Sequence, residues 1–154
     1  NWEKSNELPW GLLILFGGGL SIAAQINSSG LGIWIGEGLS VLGSVPPIFL
    51  ILAVAALIIF LTEITSNVAT TSTFLPVFGA VAAGIGILPV SLTVPVCLAA
   101  SCAFMLPVAT PPNAIVYGSG KFTIATMMRA GFVLNIIGII VVTLFAYFLA
   151  PMIF

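Results

Sequence analysis

The run Thr62-Glu63-Ile64-Thr65-Ser66-Asn67-Val68-Ala69-Thr70-Thr71-Ser72-Thr73 sets hydroxyls and an amide between two strongly apolar stretches, with Glu63 its only ionisable side chain. A second interruption, Ala109-Thr110-Pro111-Pro112-Asn113, breaks another apolar stretch. Hydroxyl, amide and carbonyl oxygens can replace water around a small hard cation such as Na⁺. Freed N–H groups and the positive ends of half-helices can hold a carboxylate without a fixed countercharge. A site with no Lys or Arg binds an anion weakly alone, and a cation bound nearby raises that affinity, which couples ion to solute. The competing reading of the Thr62–Thr73 run is an ordinary loop at a membrane surface. Against it, such loops recruit Lys, Asp, Glu and Gly, whereas this one offers mainly Thr, Ser and Asn.

Composition fixes the solvent in which these breaks sit. The chain has 154 residues, 60% of them hydrophobic and only 5% charged, with a mean hydropathy of +1.31. Soluble domains carry roughly a quarter charged residues, so this is a membrane protein. A net charge of −1, with Lys4, Lys121 and Arg129 the only cations, excludes nucleic-acid binding. With no histidine, Ser-His or Cys-His catalysis is excluded, and Cys97 and Cys102 cannot complete a tetrahedral zinc set. Both cysteines read as buried small hydrophobes. The chain is not expected to be an enzyme.

The elements that must position the two breaks follow from apolar length and punctuation. Trp2 and Trp10 flank a polar start as interfacial tryptophans do, and Pro9 suits a first helical turn. Trp10–Ile26 can just span a core of ~30 Å, with Gly17-Gly18-Gly19 at its middle marking close packing or a local break. Asn27–Ser44 is Gly- and Ser-rich, too short and polar to span, and predicts an interfacial helix. Val45–Leu61 and Phe74–Leu88 are joined by the polar run, the second with small residues for tight packing. Pro89 and Pro95 bracket the start of a segment running to Leu106. Pro107, Pro111 and Pro112 forbid its continuation as one helix. Ala114–Tyr117 resumes briefly, Gly118-Ser119-Gly120-Lys121 predicts a turn, and Ala130–Phe154 is the final span. Lys121 and Arg129 put the last connection in the cytoplasm and the C-terminus outside. Irregular backbone at Thr110–Asn113 must be buried in protein or line a watery cavity, because each unsatisfied polar group in lipid costs several kcal/mol.

Ser66-Asn67-Val68-Ala69-Thr70-Thr71 followed by Phe74-Leu75-Pro76 resembles the C-terminal signature of the divalent anion:sodium symporter family. The longer string from Ala103-Phe104-Met105-Leu106-Pro107 through Val108-Ala109-Thr110-Pro111-Pro112-Asn113 to Gly118-Ser119-Gly120 strengthens the resemblance. It covers essentially the whole chain, as a C-terminal half. The resemblance implies an all-α membrane protein of inverted repeats, this chain holding one repeat. Residues 1–44 would form a transmembrane plus an interfacial helix, 45–88 a re-entrant hairpin with its tip near 66–68, 89–121 a broken transmembrane helix, and 122–154 the final span. It implies sodium-coupled symport of a succinate-like dicarboxylate by an elevator mechanism, in a plasma or bacterial inner membrane, by a homodimer. Ser66, Asn67, Val68, Thr110 and Pro111 would face the substrate. Thr62, Thr65, Asn67 and Ala109 would form one sodium site, largely through backbone carbonyls. Position 68 is often Thr in the family, so Val68 removes a hydroxyl from that wall.

An ionisable group near the bilayer midplane is a functional candidate by default. For Glu63 the favoured reading is structural, a carboxylate hydrogen-bonded within the hairpin, because sodium sites of the family use neutral oxygens. The chain begins Asn1-Trp2-Glu3 without an initiator Met or a signal-peptide pattern, so it is expected to be part of a longer protein. The family's pocket draws on both repeats, so this chain alone is not expected to transport. Citrate or sulfate transport in the same family, or a non-transporting packing module, are the competing functions.

Overall fold

The computed structural model describes residues 45–153 together with isolated positions between 14 and 34. Every regular element among the described residues is helical: α1 (Pro47–Thr62), α2 (Asn67–Gly84), α3 (Val90–Ala99), α4 (Pro111–Gly118), α5 (Ile124–Phe148) and α6 (Ala150–Ile153). Gly17 and Gly18 are helical. The expected span at 10–26 and the interfacial helix at 27–44 otherwise lie outside the described residues.

Pro46-Pro47 starts α1, where a missing N–H costs nothing. The helix carries no charge and is apolar all round, as lipid contact requires. Burial alone distinguishes its faces: Ile51, Val54, Ala55, Ile58, Ile59 and Thr62 face the protein, while Phe49, Leu52, Leu57 and Phe60 are exposed. The polar run is not a linker. Helix enters it from both sides, leaving only Glu63–Ser66 non-helical. Hydroxyls fit inside a helix when they bond the carbonyl one turn back; Thr71 Oγ1 donates to Asn67 O at 2.8 Å and Ser72 Oγ to Val68 O at 2.7 Å. The α2 C-terminus closes in a Schellman motif. Gly86 adopts φ +77°, Ile87 N donates to Ala82 O at 3.0 Å and Gly86 N to Ala83 O at 3.2 Å.

The segment after Pro89 is helical only to Ala99, shorter than the expected run to Leu106, and carries Pro95 inside. Residues 100–110 are irregular, and α4 restarts at Pro111. The last helix begins at Ile124, earlier than the expected Ala130, because Thr123 caps it by accepting from Thr126 N at 3.2 Å. Arg129 therefore lies inside α5, and the connection before it carries Lys121 alone. With 25 residues, α5 is about 37 Å long. Among the described residues it is the helix long and apolar enough to cross a bilayer.

α1, α3 and α5 pack against one another around Ile51, Ile58, Ile59, Leu92, Val96 and Ile139, and α2 lies mainly on α3. Of the two glycines that α5 turns toward its neighbours, only Gly131 is needed for close approach. A side chain at Gly131 would collide with the Phe104 and Met105 backbone, and one at Gly138 would lie 3.5 Å from Ile59 Cδ1. Cys97 is exposed on α3 rather than buried, and half-buried Cys102 donates its thiol to Leu98 O at 3.4 Å.

Candidate functional site

Two irregular segments meet: Glu63–Ser66, between α1 and α2, and Ala100–Thr110, between α3 and α4. A cavity of about 470 Å³ opens between them, lined by residues 63–68 on one side and 108–111 on the other. Ser66, Asn67, Val68, Thr65, Ala109, Thr110 and Pro111 all line it. Thr62 does not. It is fully buried behind the wall, where its hydroxyl lies 2.7 Å from Asn67 Oδ1 and 2.9 Å from Ala100 O, toward both of which its single proton is shared. Thr65 Oγ1 donates to Leu61 O at 2.9 Å, closing the end of α1, and lies 2.6 Å from Thr70 Oγ1. The oxygens of Thr62, Thr65 and Asn67 are thus gathered by the α1–α2 turn, and Ala109 enters from the opposite wall.

The first turns of α2 and α4 both border the cavity, so two positive helix ends meet there. Ser66 occupies the N-cap of α2 without a side-chain bond to its helix. The first backbone N–H engaged in that helix is Thr70 N, which donates to Ser66 O at 2.8 Å. Among the described residues the N–H groups of Asn67, Val68 and Ala69 have no acceptor, and these are the groups an anion needs. At α4 the prolines at the first two positions carry no N–H, and Asn113 N is held 3.4 Å from Thr110 Oγ1. That wall offers dipole and side chain rather than backbone donors.

Glu63 holds the two walls together, and not in the way expected. Its partners lie outside the hairpin. Oε1 accepts from Phe104 N at 2.8 Å, Met105 N at 2.9 Å and Asn135 Nδ2 at 2.8 Å, and Oε2 accepts from Leu106 N at 3.0 Å. Three successive backbone N–H groups form an anion-binding nest. The residue is only 4% exposed, and all four donors are neutral. Asn113 completes the loop from α4, its Nδ2 donating to Ala103 O at 2.9 Å and Leu106 O at 3.0 Å.

Sequence reasoning missed Asn135 and Gly131. Both lie on one face of α5, one turn apart: Gly131 admits the Phe104–Met105 backbone and Asn135 reaches the carboxylate that binds it. The available signal was a lone amide in an otherwise apolar span, which is costly in lipid unless partnered. Fully buried, Asn135 leaves its Oδ1 without a donor among the described residues. An unmet acceptor costs about 1–3 kcal/mol, so the bond from its Nδ2 carries the residue's stabilising contribution.

The sequence matches known proteins throughout its length. The family model described as the sodium:sulfate symporter transmembrane region matches residues 1–154. The chain is 48% identical over 151 residues to the sodium-dependent dicarboxylate transporter SdcS of Staphylococcus saprophyticus, covering 98% of this chain and 29% of that protein. It is 46% identical over 153 residues to SdcS of Staphylococcus aureus strain MRSA252, covering 99% of this chain and 29% of the relative. It therefore spans less than a third of the length of these curated relatives. The chain belongs to the sodium:sulfate symporter family, the divalent anion:sodium symporters that its two polar breaks resemble.

Proposed function

We propose that this chain is the C-terminal part of a sodium-coupled dicarboxylate symporter and supplies one wall set of its ion and substrate pocket. One observation carries the reading: both polar breaks line a single cavity bordered by the first turns of two helices, with no cationic side chain on it among the described residues. Such a site favours a small cation on oxygens and a carboxylate on free N–H groups, each raising the affinity for the other. In this reading Thr65, Asn67 and Ala109 line the sodium site, and Thr62, buried behind it, belongs to it through its bond to Asn67. Ser66, Asn67, Val68, Thr110 and Pro111 face the substrate. Relatives named sodium-dependent dicarboxylate transporters favour a dicarboxylate over sulfate or citrate.

Helix lengths support a re-entrant hairpin at 45–88 and a broken helix at 89–121. α1 and α2 have 16 and 18 residues, about 24 and 27 Å, short of a ~30 Å core. α3 and α4, of 10 and 8 residues, are each about half a span. The segment at 122–154 then follows as the C-terminal spanning helix. The protein is a multi-pass membrane protein with its C-terminus outside, its pocket completed by the remainder of a longer chain, working by elevator motion as a homodimer. The test is uptake of radiolabelled succinate by the full-length transporter in proteoliposomes under an inward sodium gradient, with malate, citrate and sulfate as competitors. Sodium-driven succinate uptake is expected. No flux of any of these anions would favour a non-transporting packing module.

A further inference from the structure

We infer that Glu63 and Asn135 are positioning residues that fasten the hairpin turn to the loop of the broken helix, so that the two walls of the ion pocket move as one body. The inference rests on the functional reading above and goes beyond it, since neither residue belongs to the proposed ion or substrate contacts. Glu63 immediately follows Thr62, and Thr62 is bonded to Asn67 at the turn and to Ala100 at the start of the loop. Any shift of Glu63 therefore displaces oxygens of the proposed sodium site. Although Glu63 borders the cavity, its Oε1 already accepts three donors and its Oε2 one. These bonds bridge 41 to 43 residues of sequence to the loop and 72 to α5. A carboxylate takes several donors at once through its two oxygens, so a single side chain gathers Phe104, Met105, Leu106 and Asn135. The loop continues through Asn113-tethered Leu106 to Ala109 and Thr110 on the far wall. Asn135 sets where this cluster stands, because it projects from α5, the long apolar helix among the described residues, and is wholly buried.

The test uses the full-length transporter, purified and reconstituted, with Asn135→Leu, the milder Asn135→Ser and Glu63→Gln. Sodium is titrated at fixed succinate, then succinate at saturating sodium. We expect the sodium half-saturation concentration to rise about fivefold or more in each variant. The succinate KM at saturating sodium stays within about twofold. Spin labels at Ile64→Cys and Val108→Cys, with Cys97 and Cys102 replaced, read the separation of the walls directly in detergent. One narrow distance distribution is expected with Glu63 and Asn135 present, broadening in Asn135→Leu or Asn135→Ser. A purely structural role would lower the yield of folded protein and leave both the sodium titration and the distance distribution unchanged, and that result overturns the inference. Absence of sodium-driven uptake by the unaltered transporter overturns the functional reading and this inference with it. Normal uptake with unshifted variants overturns the inference alone.

Discussion

Gly131 on α5 stands so close to Phe104 that its Cα occupies the only space available: an added Cβ would lie 2.5 Å from the Phe104 carbonyl carbon and from Met105 Cα. The obstacle is backbone, which cannot swing aside as a side chain can. Gly131→Ala is therefore expected to destabilise the protein by about 1–3 kcal/mol and, on the proposed function, to lower uptake, because the displaced loop carries Glu63's donors. Gly138→Ala serves as control, since its Cβ would meet Ile59 Cδ1 at an ordinary 3.5 Å. Thermal unfolding in detergent should separate them; equal melting temperatures would refute the close approach.

Asn67 and Thr62 act as a pair across 2.7 Å. Asn67→Ala removes a side-chain oxygen from the cavity wall and is expected to abolish sodium-dependent succinate uptake with expression intact. Thr62→Val keeps the shape of a fully buried residue but leaves Ala100 O and Asn67 Oδ1 without its proton, costing about 1–3 kcal/mol. It should raise the sodium half-saturation concentration, while Thr62→Ser should approach the parent. Wild-type uptake by Asn67→Ala would remove that residue from the site.

How much of this was legible in the sequence depended on which atoms carry the contact. The two breaks were visible because hydroxyls, amides and prolines are conspicuous among aliphatic residues, and both line one cavity. The helix ends were not visible. Thr71 and Ser72 bond their own helix, so a polar run that reads as a loop is helical from Asn67 onward. Glu63's role could be suspected, but its partners could not be named. The donors of Phe104, Met105 and Leu106 are backbone N–H groups whose apolar side chains give no hint of them. Asn135 was a single amide in a long span, and only the fold shows what it faces.

Ser66 sits where a helix cap belongs and does not cap. Replacing a capping Ser by Ala ordinarily costs ~1 kcal/mol. Ser66→Ala is expected to cost α2 little, leaving the melting temperature within about a degree or two, while succinate KM rises. A large loss of stability with unchanged KM would show that the hydroxyl serves the helix and not the solute.

Thr110 does cap its helix, though through a long 3.4 Å contact to Asn113 N. Thr110→Ala is expected to lose about 0.5–1 kcal/mol of stability and nearly all uptake. Thr110→Ser keeps the oxygen and should retain both. If Thr110→Ala transports normally, the wall from Val108 to Pro111 does not reach the substrate.

Val68 borders the cavity at the first turn of α2 and is 37% exposed. Its backbone N–H is one of those with no acceptor among the described residues, so an anion seated there is held by the main chain whatever the side chain is. Val68→Thr is close in volume, and at a half-exposed position a hydroxyl carries little burial cost. A hydroxyl aimed at a carboxylate adds about 1 kcal/mol, which lowers the succinate KM by about fivefold with the sodium dependence unchanged. Substrate titration of the reconstituted variant at saturating sodium measures this. An unchanged KM would mean that only the backbone at position 68 meets the solute, and an altered sodium titration would move Val68 from the substrate wall to the ion site.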